Sequence, residues 1–255
     1  MDDVVMVGPV DVDAELDRLA ARYRKAGGIG VQMLSAVGGR AEGLLDKLPT
    51  GIRDRLGDAT SYALTLAMRG AQKSRGAVKD QQPWVNTAVA TAMGAAGGFG
   101  GLPSALVELP ATTAVLMRAI QGVAAQHGFN PDEESVQFDC IRVFAAAGPL
   151  SNDDGGDLAF FTLRLTLTGG AMQKLIATVA PKLAVALGHK LAAQAVPVLG
   201  ALAGASANYV YTRYYQEIAH VHFGMRRLAI DADIPHEQLV TKLQQKMKAP
   251  SVKRA

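Results

Sequence analysis

Glu108 is the residue in the middle of the chain whose type and setting suggest chemistry. It is the one charged residue between Asp80 and Arg118. An ionised carboxylate buried alone among apolar groups costs several kcal/mol, so we expect Glu108 to be paired, hydrogen-bonded or protonated. The alternative is an exposed glutamate at a helix end. Candidate partners are Arg118, Arg164, Arg213 and Asn208, and we expect Asn208 or an arginine of the C-terminal half.

Other residue types associated with catalysis or metal binding are poorly arranged for it. His220 and His222 form an H-x-H pair, but residues two apart on a helix point about 200° apart, so the rings do not readily share one ion. We expect one ring packed and one exposed. The acidic loop at 153–157 lacks EF-hand spacing, and no nucleophile elbow or phosphate-binding loop is present. The sequence predicts no metal site and no cofactor, and it leaves open whether a reaction is catalysed.

Small residues in two stretches predict two Gly/Ala-rich helical hairpins that pack closely on each other. Glycine or alanine recurs every fourth position in both stretches, and a helix face of small residues lets another backbone approach. The glycines expected at this contact are Gly94, Gly98, Gly100, Gly101, Gly200 and Gly204. The candidate polar centre, where the two halves should meet, comprises Glu108, Asn208, Arg213 and His222.

The glycine run 97–101 should break the first hairpin, with Pro103 in the first turn of the next helix. A turn that lets two helices meet is the favoured interpretation. The alternative is an anion site formed by backbone N–H groups ahead of that helix. Pro110 should then kink the helix, because proline removes a backbone hydrogen bond. The helix should continue to about Gln126 and stop at Gly128.

Glycine and proline divide the rest of the chain into helix-length segments, which predicts an all-α, bundle-like single domain. Asp11 or Asp13 should cap a first helix ending at Gly27-Gly28, and Pro49 should open one reaching about Arg75.

In the second half, Asn130-Pro131 should cap and begin a helix, and later helices should break near Pro181 and Pro197. The alternating segment 162–168 has no partner strand and is assigned to a helix. A last amphipathic helix spans about 235–247, with Leu239, Val240, Leu243 and Met247 facing inward.

Composition and charge restrict the cellular setting. Of 255 residues 49% are apolar and 5% aromatic, and the net charge is +3, too small to indicate nucleic acid. The single Cys140 excludes an internal disulfide.

Acidic residues near the N-terminus have the wrong sign for a secretory signal, so we expect a cytoplasmic protein. The uncharged stretches at 81–107 and 191–212 are polar and glycine-broken, which favours peripheral membrane contact over a span.

Two sequence blocks carry a family resemblance. AAGGFGGLPSALVELPATTAVLMRAI, followed by AVPVLGALAGASANYVYTRYYQEIAHVHFGMRRL, resembles the EcsC family of bacterial proteins over roughly residues 50–230. The family takes its name from an operon that also encodes an ABC transporter. The resemblance implies a helical domain with no assigned activity, working near the inner membrane. The positions that match its pattern are 98–103, Glu108, Pro110, Thr113, Pro197, Gly200, Gly204, Asn208, His222, Arg226 and Arg227.

The sequence therefore divides into an N-terminal extension at 1–48, an EcsC-like helical domain at 49–230, and an amphipathic helix with a basic tail at 231–255. The first functional hypothesis is a non-enzymatic helical protein at the inner membrane surface, accessory to transport, with a transporter or other protein as partner. The second is a lipid or small-molecule carrier, or a hydrolase, using a cavity around Glu108. The oligomeric state is left open.

Overall fold

The fold is all-α over the part of the chain that the computed structural model describes, which is 10–37, 45–77, 87–93, 101–146, 170–194 and 200–248. Side chains at 29–37, 47, 71–77, 101–108, 193–194, 200–204 and 248 are also outside the description. These ranges contain helices and turns and no strand, as the sequence predicts. The helices are α1 (Val12–Val37), α2 (Thr50–Arg53), α3 (Leu56–Ala77), α4 (Gly101–Gln126), α5 (Glu134–Val143), α6 (Ala171–Gln194), α7 (Gly200–Asp231) and α8 (His236–Lys248). Residues 87–93 are also helical, and Leu45–Lys47 form a 3₁₀ turn.

Helix α7 is the centre of the architecture. Its 32 residues span roughly 48 Å, and α1, α4, α5, α6 and α8 all contact it. It is buried on several sides, as expected for a helix with apolar residues around its circumference. Tyr211 and Tyr215 are fully buried, and the Tyr211 hydroxyl donates to the Ala186 carbonyl at 2.6 Å. Helix α3 completes the bundle by packing against α4 and α6.

Helix α1 begins as the sequence predicts and ends later. Asp11 Oδ1 accepts hydrogen bonds from the backbone N–H groups of Asp13 and Ala14, so Asp11 is the cap. The prediction that Gly27-Gly28 ends the helix is wrong, because α1 continues to Val37. Two glycines weaken a helix by about 1 kcal/mol each but do not force it to stop. Burial of the preceding face against α7 keeps the helix together.

Two other predicted boundaries are corrected. The helix expected to run from Pro49 to Arg75 is divided by a turn at 54–55 into α2 and α3. The break expected near Pro181 does not occur, since α6 passes through this exposed proline. On the buried side Val179, Leu183 and Leu187 are packed in the core, and this burial offsets the lost hydrogen bond. Helix α4 likewise contains Pro110, where the expected kink stays a prediction.

The turn between α4 and α5 is set by glycine. Gly128 has a φ of 79°, and Phe129 N–H donates to the Ala124 carbonyl at 3.1 Å, which closes a Schellman motif. Helix α4 therefore stops where the sequence predicts. The start of α5 is shifted: Asn130 Oδ1 accepts from Asp132 N–H within the turn, and the helix begins only at Glu134. Asn130 thus caps a turn rather than the helix.

Helix α8 matches its predicted bounds and face. Leu239, Val240 and Leu243 are buried, and Met247 packs against the same core. Lys246, from the basic C-terminal part, lies 2.8 Å from Asp17 and 3.5 Å from Asp13. The two ends of the described chain are therefore joined by α1–α8 contacts.

Helix α6 is the described segment with the length and composition of a membrane span. Its window Ala171–Ala192 has a mean hydropathy of 1.3, and 72% of the window is buried inside the protein. A core helix of a soluble bundle has the same properties, so this is weak evidence for a span. The stretch differs from the two that the sequence singled out.

Gly188 of α6 is a close-packing position that the sequence did not indicate. A Cβ there would lie 2.6 Å from Leu45 Cδ2 and 2.8 Å from Leu56 Cδ2. We expect Gly188→Ala to lower the free energy of unfolding by about 1–3 kcal/mol. Gly70→Ala in α3 is the matched control: it has open space around the Cβ position and should gain about 0.5–1 kcal/mol. Urea unfolding of both variants measures the difference, and a stabilised Gly188→Ala would contradict the prediction.

Candidate functional site

An open groove lies between the helical segment 87–93 and the N-terminal half of α7. Its volume is about 540 Å³, within the range typical of small-molecule sites. One face of each element contributes to it, since the lining positions recur at helical spacing. Alanine side chains leave the space open between the two backbones. The lining residues are Thr87, Ala88, Thr91, Ala92, Ala205, Tyr209 and Arg213.

Two polar contacts hold the segment against α7. Asn208 Nδ2 donates to the Ala90 carbonyl at 2.7 Å, and Asn208 is 1% exposed. The Thr87 hydroxyl donates to Gln216 Oε1 at 3.4 Å. Asn208 and Gln216 of α7 therefore contact the segment 87–93, and the close packing of the two small-residue stretches stays a prediction. The outer side of the segment faces solvent at Val89, which is 46% exposed.

A cluster of charges lies at the Arg213 end of the groove. Glu217, whose side chain is 6% exposed, accepts from Arg22 Nη1 at 2.8 Å and Lys25 Nζ at 3.3 Å, both from α1. Arg213 Nη2 lies farther from the same carboxylate, at 3.7 Å. We call Glu217 with Arg22, Lys25 and Arg213 the basic cluster.

A second charged cluster is buried where α5 crosses α7. Asp139 Oδ2 accepts from Arg226 Nη1 at 2.6 Å, and Oδ1 lies 3.2 Å from His222 Nε2 and 3.3 Å from Arg142 Nη1. The Arg226 guanidinium also lies 4.5 Å from the centre of the Phe129 ring. We call Asp139 with Arg226, His222 and Arg142 the Asp139 cluster.

The electrostatics of this cluster are those of a fixed ion-pair network. Burial by itself raises the pKa of Asp139, but the positive charges of His222, Arg226 and Arg142 lower it to about 2. Nearby, burial and the charge of His222 lower the pKa of His236 to about 4. Asp139 is therefore ionised and His236 neutral at physiological pH.

The Asp139 cluster resembles a hydrolytic triad only in its residue types. The Ser135 hydroxyl accepts from Arg226 Nη2 at 3.4 Å, so its recorded partner is the arginine rather than His222. Two arginines already neutralise the carboxylate, and His222 is 3% exposed. Nucleophilic catalysis needs a base that contacts both its nucleophile and an accessible substrate. We assign this cluster to the stability of the α5–α7 contact.

His220 of the H-x-H pair is bonded to another histidine. His127 Nε2 and His220 Nδ1 are 3.1 Å apart, so one ring donates and the other accepts. Burial, with Arg22 and His127 nearby, lowers the pKa of His220 to about 4, and burial with two arginines also lowers that of His127. Both rings are neutral at pH 7. The expectation of one packed and one exposed ring is only half met, because His222 is packed and His220 is also largely covered.

The residues of the predicted polar centre do not share one site in the described structure. Asn208 holds the segment 87–93, Arg213 belongs to the basic cluster, and His222 belongs to the Asp139 cluster. Asn208 and His222 are separated by roughly 21 Å along α7. Glu108 lies in α4, but its side chain is outside the described part. No group of three or more His, Cys, Asp or Glu residues suited to a metal is found among the described residues.

The glycines predicted to pack the hairpins cannot be assigned contacts. Gly94, Gly98 and Gly100 lie outside the described residues, as do the acidic loop and the segment 162–168. Gly101, Gly200 and Gly204 lie within α4 and α7, and their surroundings are outside the described part. The Gly/Ala-rich hairpin therefore stays a prediction.

A long, buried helix surrounded by shorter helices defines the class as an all-α bundle. A model of the EcsC protein family matches residues 71–228, well over half of the chain. The chain belongs to this family, as its two sequence blocks indicated. The match runs from α3 into α7, so it includes the groove and leaves out α1, α2 and α8. Searches of curated proteins and of solved structures found no match.

Proposed function

We propose that this protein is a non-enzymatic helical protein that acts at the surface of a membrane, in contact with its lipids. The observation that carries the proposal is the groove with its exposed apolar surroundings: Tyr209 lines one wall, and Val89 lies on the outer side of the segment that forms the other wall. Val89 is 46% exposed and Tyr209 is 49% exposed. Tyrosine suits a membrane interface because its ring enters the apolar layer while its hydroxyl remains hydrated.

Positive charge supports the same proposal. After Glu237 the sequence contains Lys242, Lys246, Lys248, Lys253 and Arg254 and no acidic residue. Near an anionic membrane, basic residues add about 1 kcal/mol each to binding. Within the described part Lys246 is engaged by Asp13 and Asp17, and Lys242 is exposed. An accessory role in transport, with a transporter as protein partner, is supported by the family resemblance alone.

Binding to vesicles tests the proposal. The wild type should sediment with vesicles that contain anionic lipid. Val89→Asp and Tyr209→Asp should each weaken sedimentation about tenfold, because a charge replaces an apolar contact. Ile230→Asp is the matched control: Ile230 is 58% exposed but lies near the other end of α7, and its substitution should have no effect.

Failure of the wild type to sediment, or equal loss in all three variants, would contradict the proposal. Extraction of native membranes with alkaline carbonate separates peripheral from spanning protein. We expect carbonate to release it, and retention until detergent is added would indicate a span instead.

A lipid or small-molecule carrier is the second candidate, and the volume of the groove favours it. The sequence placed such a cavity around Glu108. The described groove is instead lined by the segment 87–93 and α7. A carrier would retain lipid through purification, which mass spectrometry of the intact protein would detect.

A further inference from the structure

We propose that the groove binds one anionic membrane lipid, with an acyl chain along the alanine-lined walls and the phosphate on Arg213. This inference rests on the proposed function, because it names the molecule that the groove would take from the membrane. The basic cluster and the groove share Arg213, so one continuous surface offers an apolar half and a cationic end.

The apolar half suits a flexible chain. Ala88, Ala92 and Ala205 line it with methyl groups and leave it open at the surface. Tyr209 is half-exposed beside it and can cover a bound chain with its ring. Transfer of hydrocarbon from water to such walls is favourable, because it removes apolar surface from water.

Arg213 is the cation available to a ligand. Glu217 is hydrogen-bonded to Arg22 and Lys25, and it lies beyond hydrogen-bonding distance from Arg213. The Arg213 side chain is 36% exposed, and no hydrogen bond of its guanidinium is recorded among the described residues. A guanidinium has donors in a planar fork, which binds a phosphate through two parallel hydrogen bonds.

The charge of the cluster selects an anion. One carboxylate is surrounded by cations from three residues on two helices, so the cluster carries two positive charges in excess. Like charges gathered on one buried carboxylate repel one another, and a phosphate at Arg213 would relieve that repulsion. A neutral headgroup has no anion to bind, and a zwitterionic headgroup would bring a further cation to the cluster, so the complementarity is with an anionic lipid.

Three soluble probes test the inference by isothermal titration calorimetry with the full chain. Dodecyl phosphate combines chain and anion, dodecyl maltoside has the chain alone, and inorganic phosphate has the anion alone. We expect dodecyl phosphate to bind about tenfold more tightly than dodecyl maltoside, and inorganic phosphate to bind negligibly. Ala92→Trp, which fills the groove from an exposed position, should weaken both dodecyl probes.

Arg213→Gln should remove the preference for dodecyl phosphate and leave dodecyl maltoside unchanged. Arg227→Gln is the matched control, because Arg227 is also an arginine of α7 paired with an acid four residues later. It should change neither affinity.

Three outcomes would overturn the inference. If both dodecyl probes bind equally and Arg213→Gln alters neither, the groove does not select an anion, although the proposed membrane contact survives. If inorganic phosphate binds as tightly as dodecyl phosphate, the site takes a free anion. If no amphiphile binds while anionic vesicles still sediment the protein, the groove binds another partner, such as a peptide. If no amphiphile binds and the vesicles also fail to sediment the protein, the proposed function is wrong too.

Discussion

Replacing Asp139 with alanine should lower the free energy of unfolding by about 3–5 kcal/mol, among the largest effects of any single substitution in the described chain. The side chain is 10% exposed and contacts Arg226, His222 and Arg142. Its removal leaves Arg226 and Arg142 without their buried counterion at the α5–α7 crossing. Asp139→Asn keeps the shape of the side chain and removes the charge, so it should lower the free energy of unfolding by less than Asp139→Ala does. Chemical denaturation at pH 7 measures both losses.

The stability contributed by Asp139 should depend on pH in one direction. Its folded pKa is lowered to about 2, whereas an aspartate in an unfolded chain titrates near about 3.9. A lowered folded pKa stabilises the fold above the unfolded value, and this contribution is lost as the pH falls through the folded value. The difference in free energy of unfolding between wild type and Asp139→Asn should be constant above about pH 5. It should narrow by on the order of 2 kcal/mol towards pH 2.

Asp231→Asn is the control for both measurements. Asp231 also pairs with an arginine of α7, at 2.8 Å from Arg227, but the two side chains are 30% and 51% exposed. An exposed pair contributes only about 0–1 kcal/mol. Two results would show that the Asp139 cluster is not a buried ion-pair network. One is an equal loss of unfolding free energy in the Asp139 and Asp231 variants, and the other is a difference between wild type and Asp139→Asn that widens in acid.

The helices were predictable where local signals agree with packing. The cap at Asp11, the stop at Gly128 and the buried face of α8 were predicted correctly. Each depends on a signal within a few residues: a capping side chain, a positive φ and an apolar stripe. Errors occurred at Gly27-Gly28 and Pro181, where local chemistry favours a break and burial of the opposite face overrides it. Helix propensity does not include the free energy gained by this burial, because the residues that pack against the helix are distant in sequence.

The charged clusters were less predictable for the same reason. Asn208, Arg213 and His222 were singled out, but their partners were not: Arg22 and Glu217 are 195 residues apart, and Arg226 and Asp139 are 87 apart. A signal did exist, since Asp139 lies three residues after Val136 and four before Val143, on the buried face of α5. Glu217 similarly lies between Tyr214 and Val221 on α7. An acid at a core position of an amphipathic helix indicates a buried partner, without identifying it.

Lys190 gives the sharpest test of the prediction that Glu108 is paired. Lys190 is 1% exposed in α6, and its Nζ donates to the Thr112 hydroxyl at 3.3 Å. Thr112 lies four residues after Glu108 in α4, and residues at that spacing share a helix face. We therefore add Lys190 to the candidate partners of Glu108. An ammonium and a carboxylate that stabilise each other in the core should be strongly coupled.

A double-mutant cycle of Lys190→Met and Glu108→Gln measures that coupling. Each single substitution should lower the free energy of unfolding by about 3–5 kcal/mol, because it removes one charge of the proposed buried pair. The double variant should lose about 1–3 kcal/mol less than the sum of the single losses, since both charges are then absent. The matched cycle of Lys190→Met with Asp231→Asn should be additive within about 0.5 kcal/mol, because Asp231 lies at the far end of α7. Additivity in both cycles would show that Glu108 and Lys190 do not interact, and a Glu108→Gln variant as stable as wild type would show that Glu108 carries no buried, paired charge.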